Sequence, residues 1–98
     1  MIVRLMGEGQ YRIDRALAER LNEIDDAALQ ALEAGDEQGL QARLVELHDL
    51  VRDEGELLDD ANLEASNLIV PPSDLSLDEA RALFHEDGLI PDLPAEYY

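Results

Sequence analysis

Two leucine-rich stripes joined by a Gly-Asp dipeptide constrain this chain more than any other feature. Leu17, Leu21, Ile24, Ala28 and Leu32 recur at spacings of four, three, four and four, which places them on one face of a helix. Leu40, Leu44, Leu47 and Val51 repeat the stripe after Gly35-Asp36. Gly35 suits the position just past a helix end, and Asp36 suits the N-cap of the helix that follows. Asp14 can cap the first helix, and Gly55 can close the second. So short a junction makes the two helices run antiparallel with their stripes facing each other, a helical hairpin over residues 14–54.

The flanking segments read as strands and a shorter helix. Ile2–Met6 is apolar on both faces, Ile2 and Met6 on one and Val3 and Leu5 on the other, which predicts a covered strand. Gly7-Glu8-Gly9 tolerates positive φ, and Gln10–Ile13 can return as a second strand, making a β-hairpin. An extended arm with a Gly-rich bend is the alternative. Residues 56–66 have weak periodicity and read as a surface connection. Leu68-Ile69-Val70, stopped by Pro71 and Pro72, fits a short edge strand beside the N-terminal one.

Ser76 and Glu79 make a capping box for a third helix with a stripe of Leu77, Ala80, Leu83 and Phe84. Gly88 is expected to end it, with Leu89-Ile90-Pro91 as an apolar anchor. The expected fold is α+β: a small N-terminal β-hairpin or sheet packed on an antiparallel helical hairpin, plus a short C-terminal helix. Ninety-eight residues suit one core. A single domain over 1–92 and a flexible tail over 93–98 are expected.

Charge is uneven. Residues 1–20 carry Arg4, Arg12, Arg15 and Arg20 against Glu8, Asp14 and Glu19, so the rest of this −17 chain stands at −18. That field repels phosphate backbones and anionic headgroups, which argues against nucleic acid and against direct membrane attachment. No run approaches the roughly 18–20 apolar residues of a membrane span, and Ile2–Met6 is too short for a signal-peptide core. A cytoplasmic protein is expected. With no cysteine there is no disulfide framework and no thiolate site.

Few residues suggest chemistry. His48 is rotated away from Asp49 and Asp53, so these three read as a solvated helix face rather than a metal cluster. His85-Glu86-Asp87 reads as a helix end. Asp25-Asp26 and Asp59-Asp60 lack the donor spacing of a calcium loop. Gly7-Glu8-Gly9 lacks the third glycine of a dinucleotide fingerprint and the Lys of a P-loop. Ser66, Ser73 and Ser76 belong to no nucleophile motif. One Phe, three Tyr and no Trp make a poor stacking platform for single strands. No catalytic residue, metal ligand or cofactor is expected.

Two blocks carry a family resemblance. The opening Met1-Ile-Val-Arg-Leu-Met-Gly-Glu-Gly-Gln-Tyr-Arg-Ile-Asp14, and the block from Leu68 to Asp92 that runs from Pro71-Pro72 through a helix to Gly88-Leu-Ile-Pro91, resemble the PspA-associated proteins of the phage-shock membrane-stress system. The resemblance implies a non-enzymatic accessory module that binds or tunes a PspA-like coiled-coil protein, and meets the membrane only through that partner. Arg4, Glu8, Gln10, Tyr11 and Arg12, taken as exposed members of the first block, are the expected contact residues, since Tyr and Arg are enriched at interface hot spots. Hairpin stability is their competing role. Two other classes stay open: an acidic regulatory protein that binds a basic partner through its anionic surface, and a small metal-binding protein. A homo-oligomer is compatible with the pattern.

The absence of Lys and the excess of acid have two competing causes, a halophilic surface or an Arg- and Ala-favouring codon bias. A halophilic surface predicts a thermal midpoint that climbs from low to molar salt as repulsion among the 24 carboxylates is screened. A midpoint that stays level would assign the composition to codon bias.

Overall fold

The computed structural model describes residues 1–59 and 68–84. Helix α1 (Arg15–Glu33) opens on Asp14, whose carboxylate accepts the Leu17 amide at 2.8 Å. It ends at Gly35, which adopts φ 72°, a conformation that costs glycine little. There the Gly35 amide donates to the Leu32 carbonyl and the Asp36 amide to the Ala31 carbonyl, the paired bonds of a Schellman end. The Asp36 side chain then accepts the Gly39 amide at 2.9 Å and starts α2 (Glu37–Glu54). One residue thus closes one helix and caps the next. An Arg20–Glu54 ion pair at 2.7 Å ties the far ends of the two helices together.

The stripes do what their spacing requires. Leu40, Leu44, Leu47 and Val51 are at most 1% exposed, and Leu17, Leu21, Ala28 and Leu32 are buried with them. Ile24 is only half-buried, at the rim of the core. The second wall of that core is a four-stranded sheet formed by β1 (Ile2–Leu5), β2 (Gly9–Arg12), β3 (Glu56–Leu57) and β4 (Leu68–Val70), in the order β3-β2-β1-β4. Strand β1 pairs antiparallel with β2 around Met6-Gly7-Glu8, where Gly7 takes φ 83°. It pairs parallel with β4, the expected edge strand. Val3, Leu5, Tyr11, Leu68 and Val70 face the helices and are buried.

Several expectations are corrected. Burial of β1 is not two-sided along its length: Met6 is 48% exposed, and Arg4 on the same face is open. Glu56–Leu57, expected as surface connection, is a strand paired with Tyr11 and Arg12. Two exposed residues give no periodicity to read. Gly55 is not left-handed; a side chain there would strike the Val51 carbonyl at 2.6 Å and Tyr11 Cβ at 3.2 Å, so close approach requires the glycine.

The capping box forms as expected, Ser76 and Glu79 exchanging bonds of 3.2 and 3.3 Å. The helix it starts, α3 (Leu77–Leu83), already ends at extended Phe84 rather than at Gly88. Ala80 is buried on it, but Leu83 is exposed. Gln41 donates to the Leu75 carbonyl at 3.1 Å and the Leu77 amide to Glu37 at 3.3 Å, which hold the start of α3 on α2. Asp60, Ser66, the His85-Glu86-Asp87 group, the Gly88 stop, the Leu89-Ile90-Pro91 anchor and the 93–98 tail lie outside the described residues.

Replacing Leu44 with Ala should cost about 2–5 kcal/mol in chemical denaturation, as truncation of a fully buried leucine does. Leu83→Ala, on the same measurement, should cost under about 0.5 kcal/mol, as an exposed substitution does. Similar costs at both sites would contradict the burial of Leu44 against the exposure of Leu83.

Candidate partner-binding site

The sheet has one face against the helices and one turned away from them. Register pairs put Arg4 opposite Gln10 and Ile69, and Arg12 opposite Ile2 and Glu56, and directly paired residues share a side. The outer face therefore carries Arg4, Gln10, Arg12, Ile69 and Glu56, and Ile2, which is buried, shares that side. Arg4, Arg12 and Glu56 are exposed, and Ile69 is 52% exposed. Of the five expected contact residues, Arg4, Gln10 and Arg12 come together on this surface.

Tyr11 does not join them. It alternates to the inner face, is 7% exposed, and packs against the backbone of Gly55. Its expected exposure is corrected, because in a strand whose neighbours Gln10 and Arg12 point outward the residue between them points inward.

Glu8 also leaves the group. It sits in the β1–β2 turn and folds back over α2, where one oxygen lies 2.9 Å from His48 Nδ1 and the guanidinium of Arg52 bonds the carboxylate at 2.9–3.2 Å. His48 Nε2 lies 2.7 Å from the carbonyl of Pro71, just past β4. Hydrogen bonds from His48 and Arg52 hold the Glu8 carboxyl below its ordinary value. The reading of His48 as part of a solvated face is overturned: it is 7% exposed. Its neighbour Asp49 stays outside, paired with Arg52 at 3.1 Å. Asp25, which with Asp26 lacks the spacing of a calcium loop, is likewise fully buried.

Beside the His48 cluster lies a shallow cleft of about 260 Å³, bordered by Met6, Val45, Asp49, Pro72, Ser73 and Asp74. A second depression of about 400 Å³ runs between the helices, with Ile24 and Leu50 as its apolar part and Glu23, Glu46 and Asp53 among its carboxylates. Among the described residues no group of three or more His, Asp or Glu side chains is arranged to hold a metal ion. No helix among them is long and apolar enough to cross a membrane.

A four-stranded mixed sheet on a helical hairpin, with Arg4, Arg12 and Ile69 exposed on the sheet's outer face, defines a small α+β domain. The chain belongs to the family of PspA-associated proteins, whose model matches residues 1–92. No match was found among curated proteins or among solved structures.

The Glu8 contacts predict an acid limb. A carboxylate whose folded pKa is depressed stabilises the fold above its unfolded value, and that contribution is lost as pH falls through the depressed one. Glu8→Gln should therefore be less stable than the parent at neutral pH, with the gap closing as pH drops below about 4.5, the ordinary glutamate value. Urea midpoints across that range check it; a gap that does not narrow would mean that the ionised carboxylate contributes nothing.

Proposed function

We propose that this domain is a non-enzymatic accessory module that binds a PspA-type coiled-coil protein through the open face of its sheet. Membership of a family described as PspA-associated supports the partner. The observation that carries the surface is the placement of Arg4 and Arg12 on one exposed face, next to Ile69, in a chain of net charge −17. A cationic face with apolar side chains suits an amphipathic helix that presents acidic residues, and complementary charge would speed the encounter and fix its register. The strongly anionic remainder disfavours a direct approach to anionic lipid, so membrane contact would run through the partner. The module would then act in the cytoplasm and reach the inner membrane face by recruitment.

A second reading, an acidic regulator that captures a basic partner, is favoured by the carboxylates around the groove between α1 and α2. The two readings differ in sign. Reversing charge at Arg4 and Arg12 together, Arg4→Glu with Arg12→Glu, should weaken titrated binding to the coiled coil by on the order of tenfold or more, with circular dichroism unchanged. Undiminished binding by the folded double variant would remove the sheet face as the contact. Tighter binding would favour the acidic-regulator reading, and no binding by the parent at any salt would remove the partnership.

A further inference from the structure

His48 bonds two acceptors at once, and only one protonation state allows it. The carbonyl of Pro71, 2.7 Å from Nε2, can accept but not donate, so Nε2 carries a hydrogen. The Glu8 carboxylate, 2.9 Å from Nδ1, is also bonded by Arg52 and is held ionised there, so Nδ1 carries the hydrogen of that contact too. An imidazole with both nitrogens protonated is a cation. Its surroundings accept one: Glu8 from the β1–β2 turn and Asp49 from its own helix supply negative charge, Asp74 borders the same cleft from the loop after β4, and Arg52 is the opposing cation.

The placement of the two acceptors gives this proton a structural consequence. Glu8 follows the end of β1, and Pro71 follows the end of β4, so one side chain on α2 staples the adjacent ends of two parallel strands. We infer that His48 is a proton-operated clasp that fixes the β1–β2 turn and the end of β4 on α2, and thereby holds Arg4 and Ile69 in the geometry of the partner-binding face.

Removing one proton leaves a single N–H for two acceptors. If Nε2 keeps it, the Nδ1 lone pair faces the Glu8 carboxylate; if Nδ1 keeps it, the buried Pro71 carbonyl loses its donor. Either outcome breaks one limb. The clasp is present while the imidazole keeps both protons and is lost as pH rises and one departs. Regulation of the face rests on the binding reading above, whereas the clasp itself does not.

Nitrogen NMR of the imidazole, together with amide exchange, tests it in the unmodified chain. While both contacts are made, both ring nitrogens should show the protonated signature. As the ring loses a proton, the protection factor of the Glu8 amide, which donates to Leu5 at 2.9 Å, should fall by on the order of tenfold while that of the Leu47 amide in α2 holds. An Nδ1 that never carries a proton while the Glu8 contact persists would overturn the clasp, as would protection at Glu8 indifferent to the ring.

In a parallel titration with the coiled-coil protein, the parent should bind more weakly over the same pH rise, and His48→Gln should lose that dependence. Binding by the parent that ignores pH while the turn loosens would overturn control of the face. Failure of the parent to bind at all would remove the binding reading, and the exchange measurement would still decide the clasp.

Discussion

The inner face of β1 and the facing stripes of α1 and α2 bury one another, and each layer lacks a core without the other two. Val3 and Leu5 are fully buried, as are Leu40, Leu44 and Val51. At about 1.5–3 kcal/mol for each fully buried aliphatic side chain, this shared interface outweighs the exposed ion pairs, whose usual worth is about 0–1 kcal/mol each. The sheet could not supply such a core alone. Its strands are two to four residues long, and β4 joins only through a parallel pairing that spans the whole helical hairpin. Packing on the helices therefore stabilises the sheet, and the sheet in turn presents the arginine face.

Legibility of the fold followed the strength of local signals. Both long helices could be read from the sequence, because nine stripe positions, two aspartate caps and Gly35 all indicate the same boundaries. The short edge strand before Pro71-Pro72 could be read because proline limits where such a strand can sit. Strand β3 could not: two exposed residues pair with β2 only because α2 delivers the chain there. The end of α3 was misread for a related reason. Leu83 and Phe84 continue a helical spacing, but the backbone turns extended at Phe84 with only Ala80 fully buried on that helix.

The candidate site divides along the same line. Alternation along β2 predicts that Gln10 and Arg12 share a face and that Tyr11 does not, and that alternation was available in the sequence. His48 was missed although its position was informative: it lies four residues after Leu44 and three before Val51, squarely on the buried stripe. Asp25 occupies the equivalent place on α1, four after Leu21 and three before Ala28. Both were judged against acidic neighbours in sequence rather than against the apolar period, and both are buried. A polar residue on an apolar stripe must find a partner or destabilise the core. Among the described residues no buried side-chain polar atom lacks one.

That requirement explains why the chain tolerates a histidine where a leucine would pack. A leucine at 48 would leave the Pro71 carbonyl without its donor and Glu8 with Arg52 alone. Glu8 gains from the arrangement because His48 and Arg52 both bond its carboxylate, and His48 gains partners for both ring nitrogens at a buried position. The pair needs an ionised Glu8, so acid bounds it on one side. Because the turn that carries Glu8 inward directly follows the strand that carries Arg4 outward, a change in that pair bears on the open face through two residues of turn and no intervening domain motion.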